Sequence, residues 1–387
     1  MRIYLDHNAT APLRPEAKAA MLGALDATGN AQSVHAEGRR ARGRIEAARK
    51  QIAKLVDCAD SEIIFTSGGS ESNALVLRGA IQGAADAGQR ITRLIVSAIE
   101  HDSVLANAAL CEATNAGIRV IHAPVTAQGV IDLAELRRLL REGKGRALIS
   151  IMAANNETGV IQPIAEIVAE AKEAGALVHC DAVQAAGKIP FSFAKLGFDY
   201  ATFSAHKIGG PQGVGALVAR AGVPLASQIA GGGQERGNRA GTENVAAIAG
   251  FGAAAEAATR ELDRIGSLQI LRDNAERELC TLHPNAIVLG TAAPRLPNTI
   301  CLAAPGMSAE TLVIALDLDG FAVSAGAACS SGKVRQSHVL TAMDVEPALA
   351  QNAIRISFGQ DTTADDLSAF AEAWARIVKR AQPRVAA

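Results

Sequence analysis

The sequence predicts an α/β fold, a mostly parallel sheet flanked by helices with a smaller α+β lobe beside it, and three observations predict it. Between residues 62 and 219, short apolar runs alternate with stretches of helical composition, the pattern of repeated strand-helix units. Several of those runs end in a residue with chemistry to offer, where open α/β sheets collect their ligands. A chain of 387 residues also exceeds what one hydrophobic core normally spans, so a second lobe is expected.

Taken in order, the first six residues read as a short extended segment. The chain then turns through Asn8-Ala-Thr-Ala-Pro12 and continues as helix-prone, Ala/Arg-rich sequence to about Val56. Strands are expected at residues 62–66, 93–97, 119–123, 147–152, 177–181, 200–204 and 215–219, with helices among them at 70–85, 132–141 and 163–174. After Gly231-Gly-Gly-Gln-Glu-Arg-Gly237, an Ala-rich helix over about 245–265 bridges to the second lobe. That lobe is expected to hold strands near 286–289, 298–302 and 354–358, a helix near 309–316 and a terminal helix over 365–380. The expected division is a large domain over 14–255 and a small domain made of 1–13 and 256–387.

Composition narrows the function classes. Hydrophobic residues make up 49 % and charged residues 20 %, and the net charge of −1 offers no bulk attraction to nucleic acid or to an anionic membrane. Six cysteines, at 58, 111, 180, 280, 301 and 329, include no CxxC pair and no Cys/His spacing for a metal. Such usage suits a reducing cytoplasm. No apolar run is long enough to span a bilayer, and the first residues lack the apolar core of a leader, so a cytoplasmic protein is expected.

Five places carry chemistry. In Ser204-Ala-His-Lys207, a lysine closes a buried strand beside a hydroxyl and an imidazole, a setting in which an amine can lose its proton and form a Schiff base; the ordinary alternative is a surface charge. Ser67-Gly-Gly-Ser-Glu-Ser72 is a glycine turn entering a helix, able to hold a phosphate, although it matches neither GxxxxGK[ST] nor GxGxxG. His101 and the polar Asn155-Asn-Glu-Thr-Gly159 follow two further strands, as proton-transfer groups or as plain turn residues. Asp181 ends an otherwise apolar run, where a carboxylate is costly unless a cation meets it; a protonated pyridine nitrogen is one such cation, and capping the next turn is the simpler role.

With these residues in view, the chain resembles the cysteine desulfurases, pyridoxal-phosphate enzymes of the class V aminotransferase family and of aminotransferase fold type I. The resemblance runs through Tyr4-Leu-Asp-His-Asn-Ala-Thr10, Phe65-Thr-Ser-Gly-Gly-Ser-Glu-Ser-Asn73, Glu100-His101, Asn155-Asn-Glu-Thr-Gly159, His179-Cys-Asp-Ala-Val-Gln184, Ser204-Ala-His-Lys207 and Arg239-Ala-Gly-Thr-Glu-Asn244. It continues through Ser324-Ala-Gly-Ala-Ala-Cys329 to Arg355-Ile-Ser357. It implies that Lys207 bonds the cofactor, Asp181 pairs with its ring nitrogen, His101 stacks on the ring, and Asn156 and Gln184 lie near its phenolic oxygen. Gly69, Ser70, Ser204 and His206 would hold the phosphate, together with Thr242 from the partner subunit of a homodimer. Arg355, with Asn156, would bind the carboxylate of L-cysteine, and Lys207 or His101 would take its Cα proton.

Cys329, in the small-residue segment Ala327-Ala-Cys-Ser-Ser-Gly-Lys333, would attack the substrate sulfur as a thiolate, with Lys333 as a nearby positive charge. The products implied are L-alanine and a persulfide on Cys329, whose sulfur passes to an acceptor protein such as an iron–sulfur cluster scaffold or a thiolation system. Two departures stand out: Ser70 replaces the family's usual Thr, and two loop hydroxyls are missing from Ser324-Ala-Gly-Ala-Ala-Cys329. Rival readings are a selenocysteine lyase, another enzyme of the same fold, and a non-catalytic sulfur-carrier scaffold.

Overall fold

The structure, a computed structural model, describes residues 2–326 and 336–381. The chain enters through a two-residue strand, β1 (Ile3–Tyr4), and two helices, α1 (Pro15–Leu25) and α2 (Ala36–Val56). Strand–helix alternation then begins: β2 (Ile63–Thr66), α3 (Gly69–Asp86), β3 (Ile91–Ser97), α4 (Asp102–Thr114), β4 (Arg119–Ala123), α5 (Leu133–Glu142), β5 (Arg146–Met152), α6 (Ile164–Glu173) and β6 (Leu177–Asp181). A short helix α7 (Phe193–Leu196) leads to β7 (Tyr200–Ser204) and β8 (Gly215–Ala219).

These seven strands form one sheet in the order β2-β8-β7-β6-β5-β3-β4. The predicted positions hold; one direction differs from the parallel expectation. β8 runs antiparallel to both β7 and β2, because only a short loop separates it from β7, too short for a parallel crossover. The other six strands therefore point the same way and bring their carboxyl ends to one edge. Alternate residues serve two cores: Ile63, Phe65, Ala216 and Val218 face one, and Ile64 and Leu217 the other. Burial on both faces explains why these strands read as continuous apolar runs.

The helix expected over 245–265 is α8 (Val245–Glu261), started by Asn244, whose side chain accepts from the Ala247 N–H at 3.1 Å. A turn of tighter helix joins it to α9 (Ile265–Leu282), which the sequence reading did not separate. The second sheet follows, from β9 (Ile287–Val288) and β10 (Thr299–Ala303), then α10 (Ala309–Leu318), β11 (Phe321–Ala322), β12 (Ser324–Ala325), α11 (His338–Ala342), α12 (Pro347–Ala350), β13 (Ala353–Ser357) and α13 (Ala364–Ala381). Its order is β12-β13-β10-β9, and β1 pairs in parallel with β11 beside it. Leu268, Ile300, Leu312, Ile354, Phe370 and Trp374 belong to its core, which also takes Leu5 from the chain's start. A smaller cluster, with Ile99 and Met152 from one sheet's edge and Cys301 and Leu340 from the other unit, joins the two.

Candidate active site

At that junction a cavity of about 390 Å³ opens over the carboxyl edge of the seven-stranded sheet. It is lined by Gly69, Ser70, His101, Asn156, Asp181, Gln184, Ser204, His206, Lys207 and Arg355, ten residues named from sequence, and by Asn8, Asn73, Ser103 and Ser324. Thr242 is exposed and does not line it; it borders a separate hollow with Ser67 and Gly213. The expected nucleophile Cys329, and Lys333 near it, lie outside the described residues.

Three strand ends set the floor. β6 delivers Asp181, whose Oδ1 accepts from the Val183 N–H at 3.1 Å and whose Oδ2 accepts from Asn73 Nδ2 at 2.9 Å. β7 delivers Ser204 and, one tight turn later, His206 and Lys207. β2 feeds α3, an 18-residue helix whose N-cap is Gly68, so no side chain caps its first turn. Gly69 leaves no room there: a Cβ would come 3.1 Å from Val183 Cγ2. The start of α3 thus presents bare N–H groups and its positive dipole end beside Ser70, Ser204 and His206.

Lys207 Nζ donates to the main-chain oxygens of Asn8 at 2.7 Å and Ala9 at 2.8 Å. Burial, helped by the Arg355 charge, lowers its pKa to about 8, against the opposing pull of Asp181 and Asp6. Its amine therefore loses its proton far more readily than an ordinary lysine. His206 is pushed down to about 4 by burial and by the Lys207 and Lys188 charges, which keeps the ring neutral near pH 7.

His101 does two things at once. Its ring lines the cavity, and its Nδ1 caps α4, accepting from the Ser103 N–H at 3.1 Å. Ser103 Oγ lies 2.8 Å from the same nitrogen and accepts from Asn73 Nδ2 at 2.9 Å, so its hydroxyl proton points at His101. A chain of contacts thus runs His101, Ser103, Asn73, Asp181. Opposite them, Arg355 Nη2 donates to Asp6 Oδ1 at 2.7 Å and Nη1 to the Asn156 oxygen at 3.2 Å, while Ser324 Oγ donates to Asp6 Oδ2 at 2.7 Å. Arg355 Nε is buried without a partner among the described residues.

Asp6, Asn8, Asn73, Ser103 and Lys188 were not singled out from sequence. Four of them stand in or beside stretches already picked for their polarity, and Lys188 lies four residues after Gln184, the spacing that brings side chains together on a helical turn. Glu100, next to His101, is fully buried; its Oε1 accepts from the Met152 N–H at 2.6 Å, and burial with the nearby Asp181 raises its pKa well above the carboxylate range.

A family model for aminotransferase class-V matches residues 3–370. The chain belongs to the class-V aminotransferase family. Within that family it is 43 % identical over 381 residues to a cysteine desulfurase of Cereibacter sphaeroides, covering 97 % of this chain and 96 % of the relative. It is 42 % identical to the cysteine desulfurase IscS of Dictyoglomus turgidum, over 98 % of this chain and 95 % of that one. Among solved structures, a NifS-like protein matches with a TM-score of 0.89 at 38 % identity, covering 98 % of this chain and all of that chain (100 %). A NifS-like protein from Rickettsia africae matches at 0.87 and 37 %, covering 98 % of this chain and 100 % of that one.

Class-V aminotransferases work in general with pyridoxal phosphate, and the residues present fit it. An uncapped helix start with two hydroxyls and a neutral imidazole suits a phosphate, an amine of lowered pKa suits an aldehyde, and a buried carboxylate suits a pyridine nitrogen.

Proposed function

We infer that the chain is a pyridoxal-phosphate-dependent cysteine desulfurase, converting L-cysteine to L-alanine and taking the sulfur onto Cys329 as a persulfide. The observation that carries the reading is the meeting in one cavity of the Lys207 amine, the Asp181 carboxylate and the bare start of α3. The cofactor, when bound, supplies an aldehyde for amines and a ring that takes up the electron pair left at the substrate Cα.

The chain's own residues do the rest. Gly69, Ser70, Ser204 and His206 would hold the phosphate, completed by Thr242 of the partner subunit in a homodimer; its place outside its own chain's cavity accords with that. Asp181, kept in place by Asn73 and the Val183 N–H, holds negative charge against the ring nitrogen. His101 would lie against the cofactor's ring, and Asn156 and Gln184 would hold its phenolic oxygen. Lys207 would take the Cα proton, since the Nδ1 lone pair of His101 is already engaged by Ser103. Arg355 binds the substrate carboxylate, steered by Asp6 and Ser324. Cys329, as a thiolate, would attack the substrate sulfur and break its bond to Cβ; the carbon keeps the electron pair and gains a proton on the way to L-alanine, and the outer persulfide sulfur would pass to an acceptor protein in the cytoplasm, an iron–sulfur scaffold or a thiolation system. The cores on the two faces of the seven-stranded sheet, separate from the core of the second sheet, support a large unit over 14–255 and a small one over 1–13 and 256–387.

The test is alanine and sulfide release from L-cysteine, with Cys329→Ala beside the native protein. The native protein, yellow with bound pyridoxal phosphate, is expected to release both and Cys329→Ala neither. Full sulfide release by Cys329→Ala in reductant removes the nucleophile assignment, and a colourless protein that cannot be reconstituted removes the whole reading.

A further inference from the structure

Behind Lys207 lies a second cavity, of about 350 Å³, bordered by His7, Arg14, Lys188, Phe358 and Asp361. Lys207 lines both cavities. Between them stands a hydrogen-bonded group in which the roles above leave Lys188 and Asn8 unused. Lys188 Nζ donates to Asn8 Oδ1 at 2.8 Å and to Gln184 Oε1. Gln184 Nε2 donates to the Asn8 main-chain oxygen at 2.9 Å, the oxygen on which Lys207 rests at 2.7 Å. Asn8 Nδ2 donates to Thr299 Oγ1 at 2.9 Å and to the Asn156 oxygen at 3.2 Å.

A carboxamide has nearly the same shape either way round, so something must choose which end faces which neighbour. A lysine amine has N–H groups to give, and only the oxygen end of an amide can accept them. We propose that Lys188 is a positioning residue: by holding the oxygens of Asn8 and Gln184, it turns the Gln184 NH₂ towards the Asn8 carbonyl and the front cavity and keeps that carbonyl under Lys207. Asn8 and Gln184 are 1 % and 5 % exposed, so water does not replace a lost donor from the front. Burial drives the Lys188 pKa well below the ordinary lysine range, and the neutral amine still carries the two N–H groups this task uses.

Losing Lys188 strands two buried oxygens. They regain partners by rotating, which swings the resting place of Lys207 away from the aldehyde it must meet. The rear cavity reaches Lys188, so a small amine can enter where its side chain stood.

This inference rests on Lys207 being the residue that bonds pyridoxal phosphate, and the experiment separates the two. Apoprotein is mixed with pyridoxal phosphate, the bond is trapped with borohydride at timed intervals, and the labelled lysine is located by mass spectrometry. Labelling of Lys207 in the native chain is expected; its absence overturns the Lys207 reading whatever Lys188 does. In a native background that labels, Lys188→Ala is expected to label about tenfold more slowly, the scale of one lost buried hydrogen bond. Methylamine restores the rate, and tetramethylammonium, with the same charge and no N–H, does not. Labelling at the native rate, or equal response to both additives, overturns the proposal. Lys188→Met fills the volume without an N–H and answers the same question should the alanine variant fail to fold: slow labelling untouched by methylamine is expected, and native labelling sinks the idea.

Discussion

The two walls of the cavity are built differently. Asp181, Ser204 and Lys207 sit at or just beyond the ends of neighbouring strands, where pairing such as Asp181 with Thr202 fixes them through the main chain. Facing them, Ser324 and Arg355 pair across β12 and β13 of the second sheet, and Asp6, from the chain's start, is joined to both by side-chain hydrogen bonds at 2.7 Å. The difference teaches where tolerance lies: the chemical wall stands on the ends of one sheet, and the recognition wall, standing on a second sheet, also depends on the side-chain brace of Asp6. Replacing a group on the first should remove the reaction and spare the fold, whereas loosening the second should change how well substrate is held.

The largest expected effect is Lys207→Ala, which should lower alanine formation by about a thousandfold or more, since the covalent partner and the proton acceptor go together. Circular dichroism should show an unchanged fold. A partly unfolded variant would break the contrast, because the chemical wall would then also be structural. Asp6→Asn should act on the other wall, raising KM for L-cysteine about tenfold with kcat little altered, as one charged contact to Arg355 becomes a neutral one. A fall in kcat with KM unchanged would merge the two walls into one.

The smallest effect is a pH dependence of stability. His179, fully buried between Ser150 Oγ at 2.8 Å and Thr202 Oγ1 at 3.0 Å, is driven down to about 3 by burial, and His7 and His206 to about 4. Unfolded histidine titrates at its ordinary 6.5. As pH falls below that value the unfolded chain binds protons that the folded chain refuses, so stability is lost from 6.5 down to about 4 through His7 and His206 and on to about 3 through His179. The Tm of the apoprotein should fall through this window, less steeply for His179→Asn. Parallel curves for the two would show that the sheet tolerates a charge at its centre.

The chemical wall was legible in the sequence because each of its residues follows an apolar run that is its own strand. Asp181 and Lys207 are polar breaks in such runs, visible without any knowledge of what they face. The reversal of β8 was not legible, since direction is set by the loop it returns on and not by its apolar pattern. β1 and β11 pair over two residues, too few to show a period. Asp6 meets Arg355 across a separation of 349 residues, and nothing local to either marks the partner. Arg355 was named only through its resemblance to a family; its grip on Asp6 belongs to the folded chain alone.

The pairing of the two chain ends has a consequence for synthesis. Asn8, whose carbonyl receives Lys207, is itself anchored through its N–H to Ser357 Oγ at 2.9 Å, and His7 donates to the Ser357 carbonyl at 3.0 Å. On a ribosome, Lys207 emerges when the strands beneath it are already available to pair, yet its resting place waits for Ser357, made 150 residues later (357 − 207). The growing chain therefore carries a sheet ready for the cofactor well before it carries a finished pocket, and the segment around Asn8 stays unclaimed until β13 appears.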